Sequence, residues 1–361
     1  LLVVAIIIAV AFPLVLFVAL SLPAVQSRVA YQCEKELSAL LDCKVTVGGL
    51  GIVPFNRAVL RNVTVETAPG DTALTVRRLG AGIRISSLLS AGEPLTVNYV
   101  ELVGLDARLR RDSAGAPLNI QPIIDALSPK EKNKPPTRFD LKINTVMIRS
   151  SKLSYDVGPV IADGGGEARR FSPDHVAVEQ FRADIRLPRL RNDDFLISVK
   201  RLAFAERNCG FVLDNLAGDF IISSALLAAR NMQVVLPQSH LRFDDMEIPL
   251  KGGMRNVAEA LKTARLEAGL RSGSNLRLDD MAAFVPRLRD LPVDVLFERF
   301  ALRGNLNGFE ADMRLLSDAH VSLELTGEAA HLSSDENRKI SVSRLAVDAD
   351  GAGVQQVLQQ A

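Results

Sequence analysis

The chain has no tryptophan, and aromatic residues make up only 5% of its 361 positions. Proteins that grip single-stranded nucleic acid stack bases on aromatic side chains, so this scarcity argues against such a platform. Neither charge sign is in excess: 43 Lys and Arg face 42 Asp and Glu, a formal net charge of +1. A duplex-binding footprint needs a clustered basic surplus, which the balance argues against, so no nucleic-acid partner is expected. Three cysteines, Cys33, Cys43 and Cys209, cannot all pair with one another. A helical segment between Cys33 and Cys43 would hold them ~15 Å apart, well beyond the ~7 Å disulfide limit. They are expected to be small buried apolar residues.

Catalytic constellations are missing too. The four histidines, His175, His240, His320 and His331, stand alone, with no HExxH or paired metal-ligand spacing. No GxSxG elbow, phosphate-binding loop or dinucleotide fingerprint occurs. The acidic pairs Asp193-Asp194 and Asp279-Asp280 read as a solvated turn and a helix cap. Arg77-Arg78, Arg110-Arg111 and Arg169-Arg170 read as strand-edge or turn charges. The expectation is a protein that is not an enzyme, with no catalytic residue, no metal and no cofactor.

What the sequence does have is Leu1 to Leu22, an apolar run without one charged side chain. About 20 such residues at ~1.5 Å each cross a hydrocarbon core of ~30 Å. Pro13 within it is tolerated in lipid. A cleavable signal peptide is the rival, but its apolar stretch is usually ~7–15 residues. An uncleaved anchor over 1–22 is therefore expected, and no later stretch is apolar enough to span. The chain begins with Leu inside this run and reads as a fragment of a longer protein.

An amphipathic helix is expected from Pro23 to Leu41, in a segment 23–43, with Val25, Val29, Cys33, Leu37 and Leu40/Leu41 on one face. It either caps the domain that follows or lies at the membrane interface, and a polar face poor in basic residues favours the cap. From Lys44 the period drops to two. Val45/Val47, Val63/Val65, Leu74/Val76 and Ile83/Ile85 mark half-buried strands, with a turn at 68–71. A first β module thus covers 44–128, including a strand over Val97–Arg110, a turn at Asp112–Pro117 and a short helix over Asn119–Leu127. Residues 129–138 form a polar, Pro- and Lys-rich linker, and 139–361 continue the strands.

A loose signature, apolar-x-x-apolar-x-apolar, recurs from Val97, Ile143, Val199, Phe297 and Val342. The copies are unevenly spaced, so this is no strict repeat. Turns at Asp163–Glu167, Lys251–Gly253, Ser272–Asn275 and Gly304–Gly308 punctuate the strands. Leu278–Leu291 is expected to be helical, interrupted by Pro286, with Met281, Phe284 and Leu288 on one face. Asn256–Ala268 stays ambiguous.

The order of these elements resembles the N-terminal part of the AsmA-like family, in particular TamB-type translocation and assembly proteins of Gram-negative bacteria. The resemblance is carried by Leu22–Gln26 (LPAVQ) after the apolar run, Leu60–Val65 (LRNVTV), Gly70–Leu74 (GDTAL) and Ile83–Leu89 (IRISSLL). The Val97–Arg110 strand, the Asn119–Leu127 helix and Asp279–Leu291 (DDMAAFVPRLRDL) follow in order. It implies a mainly β fold: an N-terminal transmembrane helix, then an elongated, curled antiparallel sheet forming an apolar groove (a β-taco) with a few short helices. It also implies single-pass anchoring in the inner membrane with the bulk of the chain in the periplasm. The implied function is phospholipid transfer towards the outer membrane, in support of outer-membrane biogenesis. An outer-membrane barrel partner would be contacted by a C-terminal region absent from this sequence, and the β-groove is expected to continue past residue 361.

Residues two apart share a strand face. The pairs Val63/Val65, Val100/Leu102, Val146/Ile148, Leu202/Phe204 and Phe300/Leu302 are therefore expected to line the groove. The alternative is a non-enzymatic scaffold for outer-membrane protein assembly or secretion, whose sheets close into dry cores.

Overall fold

The computed structural model describes residues 22–53, 57–68, 70–83, 95–127, 139–158, 170–191, 194–250, 265–289, 291, 293–305, 308–317, 321–330 and 339–349. The anchor expected over Leu1–Leu22 lies outside them apart from Leu22. So do the linker at 129–138, the turns at 163–167 and 251–253, and most of 256–268. Among the described residues no helix is long and apolar enough to cross a membrane. The chain is mainly β with few helices, and it divides into two compact units. The first holds Leu1–Gly164 and Ser172–Arg182, and the second holds Gly165–Phe171 and Ala183–Ala361.

In the first unit, helix α1 spans Pro23–Leu41. Pro23 enters at the first turn, where its missing N–H costs nothing. Asp42 ends the helix in the left-handed conformation (φ 53°) and donates its N–H to Ser38 O. The Ser38 hydroxyl then accepts the N–H of Val45 at 3.0 Å, tying the helix to the first strand. Four antiparallel strands follow: β1 (Lys44–Val53), β2 (Arg57–Ala68), β3 (Asp71–Ile83) and β4 (Leu95–Arg111). Gly70, at φ 80°, makes the turn between β2 and β3. Helix α2 (Gln121–Leu127) lies between β4 and β5 (Phe139–Val157), which pair in parallel. The expected start of α2 at Asn119 is two residues early. The Asn119 side chain instead accepts the N–H of Arg110 and donates to Arg108 O, holding that residue in a turn.

The core of this unit lies between α1, α2 and one sheet face. Ala30, Val45, Leu50, Leu60, Val63, Val65, Val76 and Ile123 are buried together, and Val29, Cys33, Leu37 and Leu41 of α1 pack against them. The cap reading of α1 is the one the packing shows.

A crease crosses this sheet. Asn62, Gly104 and Ser150 have left-handed backbones, at φ 50°, 67° and 49°. The flanking registers align Gly48, Asn62, Arg77, Gly104 and Ser150 across β1 to β5. Crossing the line changes the parity of each strand, so residues three apart share a face. Val47 and Leu50, Leu60 and Val63, Val76 and Leu79, and Leu102 and Leu105 all join the same core.

The strand β6 spans His175–Arg191, and its residues from Ala183 belong to the second unit. That unit continues with β7 (Asp194–Glu206), β8 (Val212–Leu213), β9 (Asn215–Ser223), β10 (Leu226–Val235), β11 (His240–Arg242) and β12 (Met246–Pro249). Then come β13 (Leu266–Leu270), β14 (Ser274–Arg277), β15 (Asp294–Asn305), β16 (Gly308–Ser317), β17 (Val321–Ala330) and β18 (Lys339–Ala349). The pairings from β13 to β18 are antiparallel. Of Asn256–Ala268 only 265–268 is described: Arg265 is irregular and Leu266 to Ala268 are strand, in β13.

The helix expected over Leu278–Leu291 is not one helix. Two 3₁₀ turns, Leu278–Met281 and Pro286–Leu288, are separated at Val285, whose backbone is not helical (φ −128°, ψ 90°). Proline disfavours the α conformation in the residue before it and removes the N–H that would continue the ladder. Nor does the Asp279-Asp280 pair cap this segment. The Asp280 carboxylate accepts the Gln238 N–H at 3.0 Å and the Ser239 hydroxyl at 2.5 Å.

Candidate functional site

In the first unit the registers lay apolar residues in rows across the strands. Leu50, Leu60, Leu79, Leu102 and Ile148 form one row, and Val100 stands beside Val146 in the next. Val63 and Val65, each 5% exposed, lie where α1 covers the face, and Leu102 packs at the margin of that core. Val100, Val146 and Ile148 are half-buried. The opposite face is charged: Arg57 and Arg78 both meet Glu101, Arg57 also lies over the Tyr99 ring, and Arg110 meets Asp71.

The second unit repeats the two-sided pattern in β15–β18. One row runs Phe297, Leu315, Leu323, Val347. The next runs Phe300, Met313, Leu325, Leu345, and a third runs Leu302, Ala311, Gly327, Val342. The rows survive two bulges. Glu298 is the extra residue between Phe297 and Arg299, and Ser343 the extra one between Val342 and Arg344. On the other face, Arg299 pairs with Asp312 and Glu324 at 3.0 and 3.2 Å, and Arg344 reaches Glu324 at 2.9 Å. Exposed pairs of this kind contribute ~0–1 kcal/mol each, so they mark the wet side more than they hold the sheet.

Coverage varies along these rows, from Phe297, which is buried, to the outermost described strand. In β18 the apolar row ends are open: Ile340 is 72% exposed, Val342 54%, Leu345 61% and Val347 60%. Phe300, Leu302, Met313 and Leu325 are half-buried along the same face. Leu202 and Phe204 are half-buried in β7, and the Phe204 ring packs on Phe211 at 6.1 Å. Phe211 in turn meets Phe284 edge-on at 5.1 Å, and Phe284 meets Phe171 at 5.3 Å.

The structure thus brings Val63, Val65, Val100, Leu102, Val146 and Ile148 into one sheet of the first unit. Leu202, Phe204, Phe300 and Leu302 belong to the second. Sequence reasoning missed the aromatic cluster, because its members are scattered from Phe171 to Phe284. It also left Ile340, Val342, Leu345 and Val347 off the list. Three of these stand in the fifth copy of the recurring signature, which was the available signal.

Other features offer less. A hollow of about 620 Å³ at the end of α1 is lined by Ser38, Asp42, Cys43, Lys44, Glu66 and their neighbours. The three cysteines are free thiols. Burial, reinforced by the Glu206 carboxylate, pushes the Cys209 thiol up to about 11. Among the described residues no group of three or more His, Cys, Asp or Glu could hold a metal ion. No protein-family model and no curated protein matches the chain.

Proposed function

We propose that the chain is a non-enzymatic lipid-transfer protein, anchored in the inner membrane by 1–22, that carries phospholipid acyl chains along the apolar face of its sheets through the periplasm. The observation that supports this best is the two-sidedness of β15–β18. Three apolar rows cross four strands and end exposed at Val342, Leu345 and Val347, while the other side carries an ion-pair ladder. An open apolar face in water needs an apolar occupant. Acyl chains suit a continuous strip, since burial contributes ~25 cal/mol per Å² without any specific polar contact. The resemblance to the AsmA-like family adds the direction, towards the outer membrane, and a barrel partner there.

The second reading is a scaffold for outer-membrane protein assembly with closed β cores. The covering of Val63 and Val65 by α1 favours it at that end of the chain.

A transfer assay separates the two. The full chain is reconstituted in donor vesicles carrying fluorescent phosphatidylethanolamine, and arrival in acceptor vesicles is timed. The lipid reading expects transfer that Val146→Asp and Leu302→Asp abolish in folded protein. Transfer no faster than from protein-free vesicles leaves the scaffold.

A further inference from the structure

Between β14 and β15 the chain makes an excursion that leaves and returns at one point. Arg277 pairs with Asp294 in the ladder and by a 2.8 Å ion pair, and the Leu278 N–H donates to Val293 O. The neck is therefore closed by the sheet itself. Beyond the neck, several contacts of its described residues seat the excursion on the unit, and Arg277 also reaches Asp279 at 3.5 Å. The Asp280 carboxylate holds the Gln238 N–H and the Ser239 hydroxyl, and the Phe171 N–H donates to Ala283 O at 2.8 Å. Ala282 and Ala283 are buried, and Phe284 sits between Phe171 and Phe211, with Phe204 behind. The described residues of the excursion form two 3₁₀ turns, broken before Pro286, and no regular helix.

We propose that this excursion is a displaceable strap, with Phe284 as a plug whose seat on Phe171, Phe204 and Phe211 takes an acyl chain when the strap lifts. This rests on the lipid reading and adds to it a gate at a named place. Among the described contacts, lifting breaks the Asp280 bonds, the Phe171–Ala283 bond and the Phe284 ring contacts, while the Arg277–Asp294 neck stays intact. An acyl chain replaces the ring contacts with apolar contact of the same kind, so the ligand offsets part of the cost of lifting and shifts the equilibrium towards the lifted strap. A core element would differ. Its removal would open the sheet, and no apolar ligand would substitute for it.

Two measurements on the full chain, reconstituted in phosphatidylglycerol vesicles or held in a fluorinated surfactant whose chains do not mix with hydrocarbon, test this. The first is amide hydrogen exchange. Vesicles are expected to speed exchange at the Phe171 amide about tenfold, the effect of a ~1.4 kcal/mol shift between closed and lifted strap. The Leu278 amide at the neck is expected to stay unchanged. The second is photo-crosslinking to lipid from position 202, in the strand that carries Phe204 of the seat, and from position 300, which packs on Phe297 instead. Phe284→Ala is expected to raise capture at 202 several-fold and to leave capture at 300 as it was. Capture at 300 with no change at Phe171 and none at 202 overturns the strap and keeps the lipid reading. No capture at either position overturns both. If Phe284→Ala fails to fold, the exchange measurement on the unaltered chain decides.

Discussion

Phe297 and Phe300 are three residues apart in β15, yet their rings meet edge to face at 5.7 Å between centroids. A regular strand would put them on opposite sides. Glu298 is the extra residue of a bulge, so Arg299 faces Arg314 on the charged side and Phe300 returns to Met313 on the apolar side. Deleting Glu298 leaves these pairings in an unbroken ladder and is expected to cost at most about 1 kcal/mol. Deleting Ala301 throws Leu302 onto the charged face and loses its burial, ~1.5–3 kcal/mol, before any slip is counted. Urea unfolding of the two deletions checks the order, and equal costs would refute the bulge account.

Gly104 sits on the crease at φ 67°, and a Cβ there would come within 2.9 Å of Arg77 Nε. Gly104→Ala is expected to destabilise the first unit by about 1–3 kcal/mol, because an L side chain is strained at positive φ and Arg77 must also move. Gly49→Ala, with nothing within 4 Å and no positive φ, is the control and should stay within about 0.5 kcal/mol. Chemical denaturation of both variants measures the difference.

Alternation made the strands legible, because one wet and one apolar face leave a period of two wherever the ladder is regular. It also made α1 legible, with Pro23 at its start and the apolar stripe through Val29, Cys33 and Leu37. The parity changes were hidden. Asn62 and Gly104 are residue types that accept a left-handed backbone, but Ser150 and Gln180, at φ 49° and 53°, are not recognisable as such. The recurring signature held the clue. In three copies the two variable positions contain the extra residue of a bulge, Asn98, Glu298 or Ser343, which is why apolar residues three apart still share a face. The aromatic seat of Phe284 was out of reach, since no local pattern links Phe171, Phe204, Phe211 and Phe284.

The Cys209 thiol, held up to about 11 by burial and Glu206, has an ordinary value of 9.0. At pH 8 it should resist iodoacetamide in the folded chain and react on unfolding. The sign of the linkage follows: between these two values the unfolded thiol has lost its proton and the folded one has not. Stability from this group is therefore full below pH 9 and falls as pH rises towards 11. Cys209→Ala should flatten that part of the pH–stability curve, and an unchanged curve would contradict the assignment.

Val63→Asp and Val146→Asp should fail differently. Val63 is buried under α1, so a carboxylate there is expected to cost several kcal/mol and unfold the first unit. Val146 is half-buried in β5, outside that core, and its Asp variant is expected to fold and lose lipid transfer. Circular dichroism melting beside the transfer assay reads both, and a matching loss of fold in the two variants would count against an accessible face at Val146.

The central claim is that the apolar rows touch acyl chains, and site-specific photo-crosslinking in intact cells tests it most directly. Photoreactive residues at Val100, Val146, Leu202 and Phe300 are compared with outward controls at Arg108 and Arg201, both exposed and each on the opposite strand face from the tested positions. The account predicts phospholipid adducts at the first four positions and none at the controls. Adducts at none of the six, or equally at all of them, would contradict it.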